Sequence, residues 1–380
     1  MATQPITLGF VGDIIPTRAE LSSFIALPKL DFLSGNLEAP LSGKPRLDKI
    51  GPLHETSKAS LAILNSAGFS YLSLANNHIA DQGSVGIRNT QNYLTKLGIK
   101  HSGAGQISHL SDFVSYLNIK GIKLACLSLA DNDSGTAPQS HGINYFLGDD
   151  PRLEKLIKKL KNSCDLVIIH SHGGIEEVPL PPSYRITKLR QYVDWGADLV
   201  IGAHPHVAQL WESYHDGYIF YSLGDYYFSS PSTSKDPSFG MLVEIKYHHN
   251  QLSVPRITYL KNARPNTQKN LLLSSYLKQS STMLNSPYSL DLITHQHHEL
   301  FRIRYKQFLT QFLGQTLDFH LSPFHLRFNT RFLRLCQLLF YNPSHQEVML
   351  SPLKWLSHKR ELAPYIKKHR LLAKYLRLLS

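Results

Sequence analysis

The sequence predicts a mixed α/β protein whose first two-thirds form one sheet-rich domain. Short apolar segments of strand character alternate with segments of helical periodicity, which is the pattern of strand and helix units. Several apolar segments are continuous, such as DLVII (165–169) and ADLVIG (197–202), which suits strands covered on both faces. Polar motifs follow these segments, and in such folds functional groups gather in loops at strand ends.

The first elements are predicted from apolar periodicity and from glycines that end helices. ITLGFVGD (6–13) indicates a strand that ends in a Gly-Asp loop, and SKASLAILNSAG (57–68) indicates a helix. YLSLANNH (71–78) indicates a strand that runs into a polar loop, and IRNTQNYLTKLG (87–98) a second helix.

The alternation continues to about residue 260. A hairpin with a Lys120-Gly121 turn is expected, followed by a helix with Pro151 in its first turn. A strand, a helix and a strand are then predicted over CDLVIIHSHGG, PPSYRITKLRQYVDWGAD and LVIGAHPH. Further hairpins are expected at Asp216-Gly217 and His249-Asn250.

Length and charge predict a second region. The chain has 380 residues, and domains typically hold ~100–200. Residues 1–254 carry 21 Lys and Arg against 23 Asp and Glu, a net charge of −2, whereas residues 255–380 carry 19 against 5, a net charge of +14. Leu, Phe and Tyr recur there at helical spacings among basic residues. We expect one domain over 1–262 and a basic, mainly helical C-terminal region over 263–380.

Composition excludes several classes of protein. With 42% hydrophobic and 18% charged residues, the chain is unlike a disordered one. Three well-separated cysteines exclude a disulfide framework and a CxxC metal site, which favours a reducing compartment. The sequence shows no signal peptide and no run of about 18 apolar residues. We therefore expect a cytoplasmic protein.

The basic C-terminal region has three interpretations. In the first, the helices pack on the main domain and their basic faces are exposed to solvent. In the second, they adsorb to a membrane surface, since KKHRLLAKYLRLL (367–379) resembles a basic amphipathic helix. That second interpretation would make the protein peripheral at the membrane. Binding of nucleic acid is not expected, because no nucleic-acid motif is recognised.

Residues suited to metal chemistry follow successive predicted strands. Imidazole nitrogens with carboxylate and amide oxygens are ligands of divalent ions in hydrolytic centres. In His204-Pro-His206 and His170-Ser-His172, residues two apart on an extended strand share a face, so each pair can reach one point. Each motif also has a simpler interpretation: Gly-Asp as a turn, Asn-Leu-Glu as a loop entering a helix, and Asn-Asn-His as an Asx turn.

The order of the motifs resembles the CapA family, named for poly-γ-glutamate capsule synthesis, within the calcineurin-like metallophosphoesterase superfamily. The resemblance covers roughly residues 5–250 and rests on GDIIPTR, GNLEAPL, LANNHIADQG, HSGAG, HSHGGIE, GADLVIGAHPHVAQ and YSLGDYYF. It implies a four-layer α-β-β-α sandwich of the metallo-dependent phosphatase type, with metal at the strand ends.

The resemblance also implies roles for individual residues. Six positions match metal ligands: Asp13, Glu38, Asn77, His172, His204 and His206. His78 matches a histidine that contacts substrate and donates a proton, and Glu176 follows as a second catalytic candidate. Three residues are expected to support the ligands: Asn76, His170 and Asp225. The superfamily's Asp-x-His ends here in Ile15, which loses one ligand, so one or two ions are expected. Asp225 stands where asparagine is more usual, and it either adds a negative group near the site or ends a strand.

These residues predict a metal-dependent hydrolase. A divalent Mn, Zn or Fe ion would polarise the scissile group and lower the pKa of water, while His78 would act as general acid. A phosphoester and a γ-glutamyl amide are both suitable substrates. Two alternatives stand beside this hypothesis: a non-catalytic component that binds an anionic polymer through the basic region, and a catalytically weak relative that keeps the scaffold.

Overall fold

A computed structural model describes residues 4–16, 28–44, 52–106, 108–132, 143–178, 180–228, 239–261 and 263–265. These residues belong to one compact unit, Met1–Leu277. Apart from its first three residues, the expected C-terminal region lies outside the described residues, so its helical character and the boundary at 262 stay predictions. Across the described ranges, no helix is long and apolar enough to cross a membrane.

Strands and helices alternate through the described ranges. The strands are β1 (Ile6–Ile15), β2 (Phe32–Leu37), β3 (Tyr71–Ser73), β4 (Lys100–Ser102), β5 (Ala104–Gln106), β6 (Val114–Ile119), β7 (Ile122–Ala130), β8 (Ile143–Tyr145), β9 (Leu166–His172), β10 (Leu199–Ala203), β11 (Trp211–Tyr214), β12 (Gly217–Phe220), β13 (Asp225–Phe228), β14 (Phe239–His248), β15 (Gln251–Leu252), β16 (Arg256–Lys261) and β17 (Arg264–Pro265). The helices are α1 (Lys58–Ser66), α2 (Gly83–Lys96), α3 (Leu153–Ser163) and α4 (Ser183–Asp194).

The strands form two main sheets. The first has the order β17-β16-β14-β1-β2-β3-β4, with β13 also paired to β1 and β15 to β14. The second has the order β11-β12-β10-β9-β7-β6, and β5 pairs with β8 separately. β1 to β4 run parallel, as do β7, β9, β10 and β12, so their carboxyl ends gather at one edge of each sheet.

Helices cover the outer faces of both sheets. Helix α1 begins at a cap where the Ser57 side chain accepts from the Ser60 amide, and Leu61 and Leu64 are fully buried with residues of β1 and β2. Burying such a side chain contributes about 1.5–3 kcal/mol. Helix α2 shares this core, whereas α3 and α4 pack against β9 and β10. The four-layer α-β-β-α sandwich is therefore confirmed.

Buried aromatic and hydroxyl side chains link the two sheets. Tyr71 of β3 bonds through its hydroxyl to Ser102 and to Ser128, which lies in β7 of the second sheet. The His170 ring of β9 lies 5.1 Å from the Tyr71 ring and 6.4 Å from the Phe10 ring, measured between centroids. Strands of the two sheets are thus held face to face, with their carboxyl ends at the same side.

Several element boundaries differ from the expectations. Residues 32–37 form a buried strand, so the interpretation of Asn-Leu-Glu as a loop entering a helix is wrong. β1 continues through Asp13 to Ile15, and α2 begins at Gly83, four residues early. Helix α3 begins two residues after Pro151. The turns at Lys120-Gly121 and His249-Asn250 are confirmed, and their residues have positive φ angles. The hairpin expected to turn at Asp216-Gly217 turns at His215-Asp216 instead, because Gly217 already pairs with Tyr214.

Candidate metal centre

The candidate site lies where strand ends of both sheets converge. In the first sheet, parallel pairing of β1 with β13 places Asp13 opposite Asp225. In the second sheet, pairing of β9 with β10 places His172 opposite Ala203, which immediately precedes His204. Residues far apart in sequence are therefore brought together by strand register.

Asp13 is fixed by a close backbone approach. A Cβ atom on Gly12 would lie 1.7 Å from the Gly224 carbonyl oxygen, so only glycine permits this contact. The Asp13 amide donates to that same oxygen at 2.9 Å. The fully buried Asp13 carboxylate accepts from the His204 amide through Oδ2 at 2.9 Å, and from Asn36 Nδ2 through Oδ1 at 2.8 Å.

Asn36 lies at the centre of the cluster although it is absent from the predicted ligand set. Its Nδ2 is also 3.0 Å from Glu38 Oε1 and 3.1 Å from His172 Nδ1. Asn76 donates to Asn36 Oδ1 at 3.3 Å and to the Leu37 carbonyl at 2.8 Å. A strand predicted over these residues would have indicated Asn36, because Asn36 and Glu38 are two residues apart and so lie on the same face of an extended strand.

Glu38 is buried with one carboxylate oxygen unsatisfied. Its Oε1 lies 3.2 Å from His172 Nδ1, and its Oε2 has no hydrogen-bond partner. Burial, followed by the nearby Asp13 charge, raises the pKa of Glu38 well above its ordinary value. A buried carboxylate oxygen without a donor calls for a proton or a cation.

His206 links three carboxylates, which we call the carboxylate cluster: Asp13, Glu38 and Asp225. Its Nδ1 is 2.8 Å from Asp225 Oδ1 and 3.6 Å from Asp13 Oδ2, and its Nε2 is 3.9 Å from Glu38 Oε2. Burial lowers the pKa of His206, but the charges of Asp225, Glu38 and Asp13 outweigh burial and raise it well above the ordinary value.

The other two candidate histidines, His172 and His204, are held neutral. His172 Nε2 lies 2.9 Å from Asn77 Oδ1, and the His172 and His204 rings are 4.7 Å apart between centroids. Burial, followed by the neighbouring His204 and His206, lowers the pKa of His172 well below its ordinary value. Burial lowers the pKa of His204 to about 4. Neutral imidazole is the form that binds a metal ion.

His204 and His206 converge for a different reason than expected. β10 ends at Ala203, and the two histidines have φ angles of 99° and 58°, in the left-handed region that L residues seldom occupy. The expectation that they share one face of an extended strand is therefore wrong. Their ring centroids are nevertheless 6.1 Å apart.

Three overlapping groups of side chains can hold a metal ion. In each group the ligand atoms lie within 4.8 Å of one another: Asp13, Glu38 and His172; Asp13, His206 and Asp225; and Glu176, His204 and His206. Glu176 is exposed at the solvent side, whereas the carboxylate cluster is buried. The structure thus brings the predicted acidic and histidine ligands to one place, with Asn77 beside His172.

His78 belongs to a second cluster at the edge of these groups. Its Nδ1 lies 2.7 Å from Oδ2 of the buried Asp81, which also accepts from the His54 amide at 2.7 Å. The His54 ring lies 4.1 Å from the His78 ring, and Phe228 contacts the rings of both His54 and His206. Asp81 and His54 were not predicted; the signal for Asp81 is its place three residues after His78.

His170 does not join the ligands. It is buried between Phe10 and Tyr71, and its Nε2 has no hydrogen-bond partner. Burial alone lowers the pKa of His170 to about 3, so this ring is neutral and packs as an interior side chain. The contacts that place it are with aromatic rings of the first sheet.

A second buried acidic group lies behind His172, and we call it the Asp131 network. Asp131 accepts from Arg185 Nη1 at 3.2 Å, Lys188 Nζ at 3.0 Å and Tyr184 Oη at 3.1 Å. Arg185 also donates to Ser171 Oγ and to its carbonyl. Burial opposes ionisation of Asp131, but Arg185 and Lys188 hold its pKa below the ordinary value.

Comparison with known proteins gives a family and several relatives. The family described as "Bacterial capsule synthesis protein PGA_cap" matches residues 8–230. The capsule biosynthesis protein CapA of Bacillus anthracis is 32% identical over 233 residues, or 58% of this chain and 55% of that protein. The PGA biosynthesis protein CapA of Bacillus subtilis (strain 168) is 32% identical over 203 residues, or 52% of this chain and 53% of that protein.

The chain spans about half the length of these two curated relatives. Among solved structures, a phosphatase from Mycoplasma pneumoniae matches with a TM-score of 0.47 and 15% identity, and covers 71% of this chain and 97% of the other. A hypothetical protein from Thermus thermophilus matches with a TM-score of 0.45 and 14% identity, and covers 67% of this chain and 99% of the other.

Proposed function

Because the chain belongs to the bacterial capsule synthesis protein PGA_cap family, we propose that it is a metal-dependent hydrolase in capsule polymer biosynthesis. Its substrate would be a phosphoester or a γ-glutamyl amide. The observation that carries the proposal is the convergence of the buried carboxylate cluster with neutral histidines, one carboxylate oxygen of Glu38 having no donor. Two relatives named for capsule and PGA biosynthesis support the biological setting.

The side chains present fit a divalent ion. Borderline ions such as Mn, Zn and Fe accept mixed carboxylate, amide and imidazole ligands. The ligands would be Asp13, Glu38, Asn77, His172, His204 and His206. A bound ion would polarise the scissile group and lower the pKa of a nearby water. Neutral His172 and His204 bind without first losing a proton, which favours loading near neutral pH.

His78 is the proposed proton donor to the leaving group. Asp81 engages His78 Nδ1, so transfer to a substrate would run through Nε2. The same carboxylate accepts from the His54 amide, which places the His54 ring 4.1 Å from the His78 ring between centroids, at a tilt of 48°. Glu176, at the solvent side of His204 and His206, would take a proton from the attacking water.

The test is hydrolysis of bis(p-nitrophenyl) phosphate and of poly-γ-glutamate by the full chain with Mn²⁺. Asp13→Asn and His78→Gln are expected to lower the rate by at least 100-fold, a typical effect of removing a ligand or a general acid. His215→Gln is the matched control, since His215 is exposed and pairs only with Asp194 in the ion pairs seen among the described residues. Turnover of neither substrate, with no bound metal in wild type, would refute the proposal.

A non-catalytic role has support of its own from charge. Residues 255–380 carry a net charge of +14, which suits a polyanionic polymer. The test is binding of fluorescent poly-γ-glutamate to the full chain in EDTA. For this role we expect affinity that falls steeply with salt and is unchanged in Asp13→Asn.

A further inference from the structure

We infer that Asp225 is itself a metal ligand and that, with Asp13 and His206, it holds a second cation beside the one held by Asp13, Glu38 and His172. This inference rests on the proposed function, because it assumes that the site binds a divalent ion. It assigns to Asp225 a role beyond hydrogen bonding to a histidine. Asp13 would then be shared by both cations.

Strand pairing fixes the two carboxylates side by side. Asp13 and Asp225 are register partners in β1 and β13, and the Asp13 amide bonds to the carbonyl of Gly224, the residue before Asp225. Both side chains are buried, with 0% and 3% of the residue exposed. Two carboxylates fixed by backbone pairing cannot separate to relieve their repulsion.

The carboxylate cluster lacks matching positive charge. Among the described residues, every ion pair of its three members is with a histidine: His206 for all three, and His172 for Glu38. The nearby guanidinium of Arg185 and ammonium of Lys188 are bound to Asp131 instead. When the three carboxylates are ionised and His206 is neutral, as an imidazole that binds a metal is, their charge of −3 exceeds what one divalent ion neutralises, so a second cation position is electrostatically favoured.

A second observation points to a ligand at this place. Glu38 Oε2 is buried without a hydrogen-bond partner and faces His206 Nε2 at 3.9 Å. The ligand atoms of Asp13, His206 and Asp225 lie within 4.8 Å of one another, a spacing that one ion between them satisfies. A cation among these atoms would supply the partner that Glu38 Oε2 lacks.

The competing role for Asp225 is to orient His206 by a hydrogen bond. Asp225 Oδ1 is 2.8 Å from His206 Nδ1, a contact that would hold the ring in either case. An asparagine accepts the same hydrogen bond but supplies no negative charge. Asp225→Asn therefore separates the two roles, and Asp225→Glu restores the charge.

The experiment measures metal content and affinity of the full chain without any substrate. Wild type, Asp225→Asn, Asp225→Glu and the control Asp150→Asn are stripped with EDTA, reloaded with Mn²⁺, gel-filtered and analysed for metal. Asp150 pairs with Arg152 outside the site. We expect two ions per chain in wild type and the control, one in Asp225→Asn, and two in Asp225→Glu. Manganese EPR should show spin coupling only in the two-ion forms.

Two ions bound equally tightly by wild type and Asp225→Asn would overturn the inference and leave the proposed function standing. One ion in wild type would overturn it as well. No ion in wild type would overturn both. Folding is checked by circular dichroism in EDTA, where Asp225→Asn should have the same spectrum as wild type, because asparagine keeps the hydrogen bond to His206.

Discussion

The protein contains two buried acidic groups that differ in how their charge is balanced. In the Asp131 network, one carboxylate is surrounded by Arg185, Lys188 and Tyr184, so it is satisfied by the chain alone. In the carboxylate cluster, three carboxylates share histidines, and Glu38 keeps one oxygen without a donor. A buried carboxylate that pairs with cations of the same chain therefore contributes to the folded structure, whereas buried carboxylates without such cations indicate a binding site for a cation.

Disrupting the Asp131 network should have the greatest effect on the free energy of unfolding. Arg185→Met removes the buried cation and leaves the buried Asp131 with only the partly exposed Lys188, which should cost about 3–5 kcal/mol of unfolding free energy. Urea denaturation measures this. The control is Lys188→Met, whose ammonium is partly exposed and whose loss should cost about 1 kcal/mol or less. A loss below about 1 kcal/mol for Arg185→Met would mean that the network contributes little.

The next largest effect on stability should come from adding a metal ion to the carboxylate cluster. Mn²⁺ at 100 times its dissociation constant should stabilise wild type by about 2.7 kcal/mol, and EDTA should reverse this. Glu38→Gln should lose most of that stabilisation. Thermal unfolding with and without EDTA measures both, and Asp131→Asn should keep the full metal response. Equal metal responses in Glu38→Gln and wild type would remove Glu38 from the ligands.

The Glu38→Gln variant should also change how the stability of the metal-free protein depends on pH. The folded-state pKa of Glu38 is above its ordinary value of 4.5, so the folded protein binds this proton more tightly than the unfolded chain. Stability of the metal-free wild type should therefore fall as pH rises above 4.5, and Glu38→Gln should remove this part of the slope. Asp131 has the opposite sign: its contribution is present above its ordinary pKa of 3.8 and is lost on acidification.

A smaller effect is expected at His170, which lies outside both groups. Its folded-state pKa of about 3 is below the ordinary 6.5, so the unfolded chain gains a proton first and stability falls as pH drops below 6.5. The loss should be about 1.4 kcal/mol per pH unit. His170→Phe should flatten this limb and add about 1 kcal/mol at neutral pH. The measurement is the free energy of unfolding as a function of pH. Parallel curves for wild type and His170→Phe from pH 6.5 down to about pH 5 would contradict this prediction.

Local patterns made much of the fold predictable. The continuous apolar runs gave β9 and β10, and helical periodicity with a closing glycine gave α1. β2 escaped prediction because FLSGNL mixes apolar residues with glycine, serine and asparagine that are nonetheless all buried. The polar Asn36 bonds to Asp13, His172 and Asn76 from distant segments, and a local pattern does not contain such partners.

Most of the residues that meet at the candidate site were predictable from the sequence, whereas their geometry was not. Asp13 and Asp225 become neighbours only through pairing of β1 with β13, a contact between opposite ends of the domain. Arg185 looks like a solvated charge on an amphipathic helix, yet it is 1% exposed because Asp131 and Ser171 receive its guanidinium. Such long-range contacts leave no trace in the periodicity of either segment.

The left-handed backbone at His204 would shape the outcome of a selection experiment. A non-glycine residue at a φ of 99° costs on the order of 1–3 kcal/mol, a penalty that glycine would avoid. Screening a variant library for thermal resistance alone should therefore enrich glycine at this position, and the enriched clones should be poorer metal binders. Retention of histidine would then report selection for ligand binding rather than for folding.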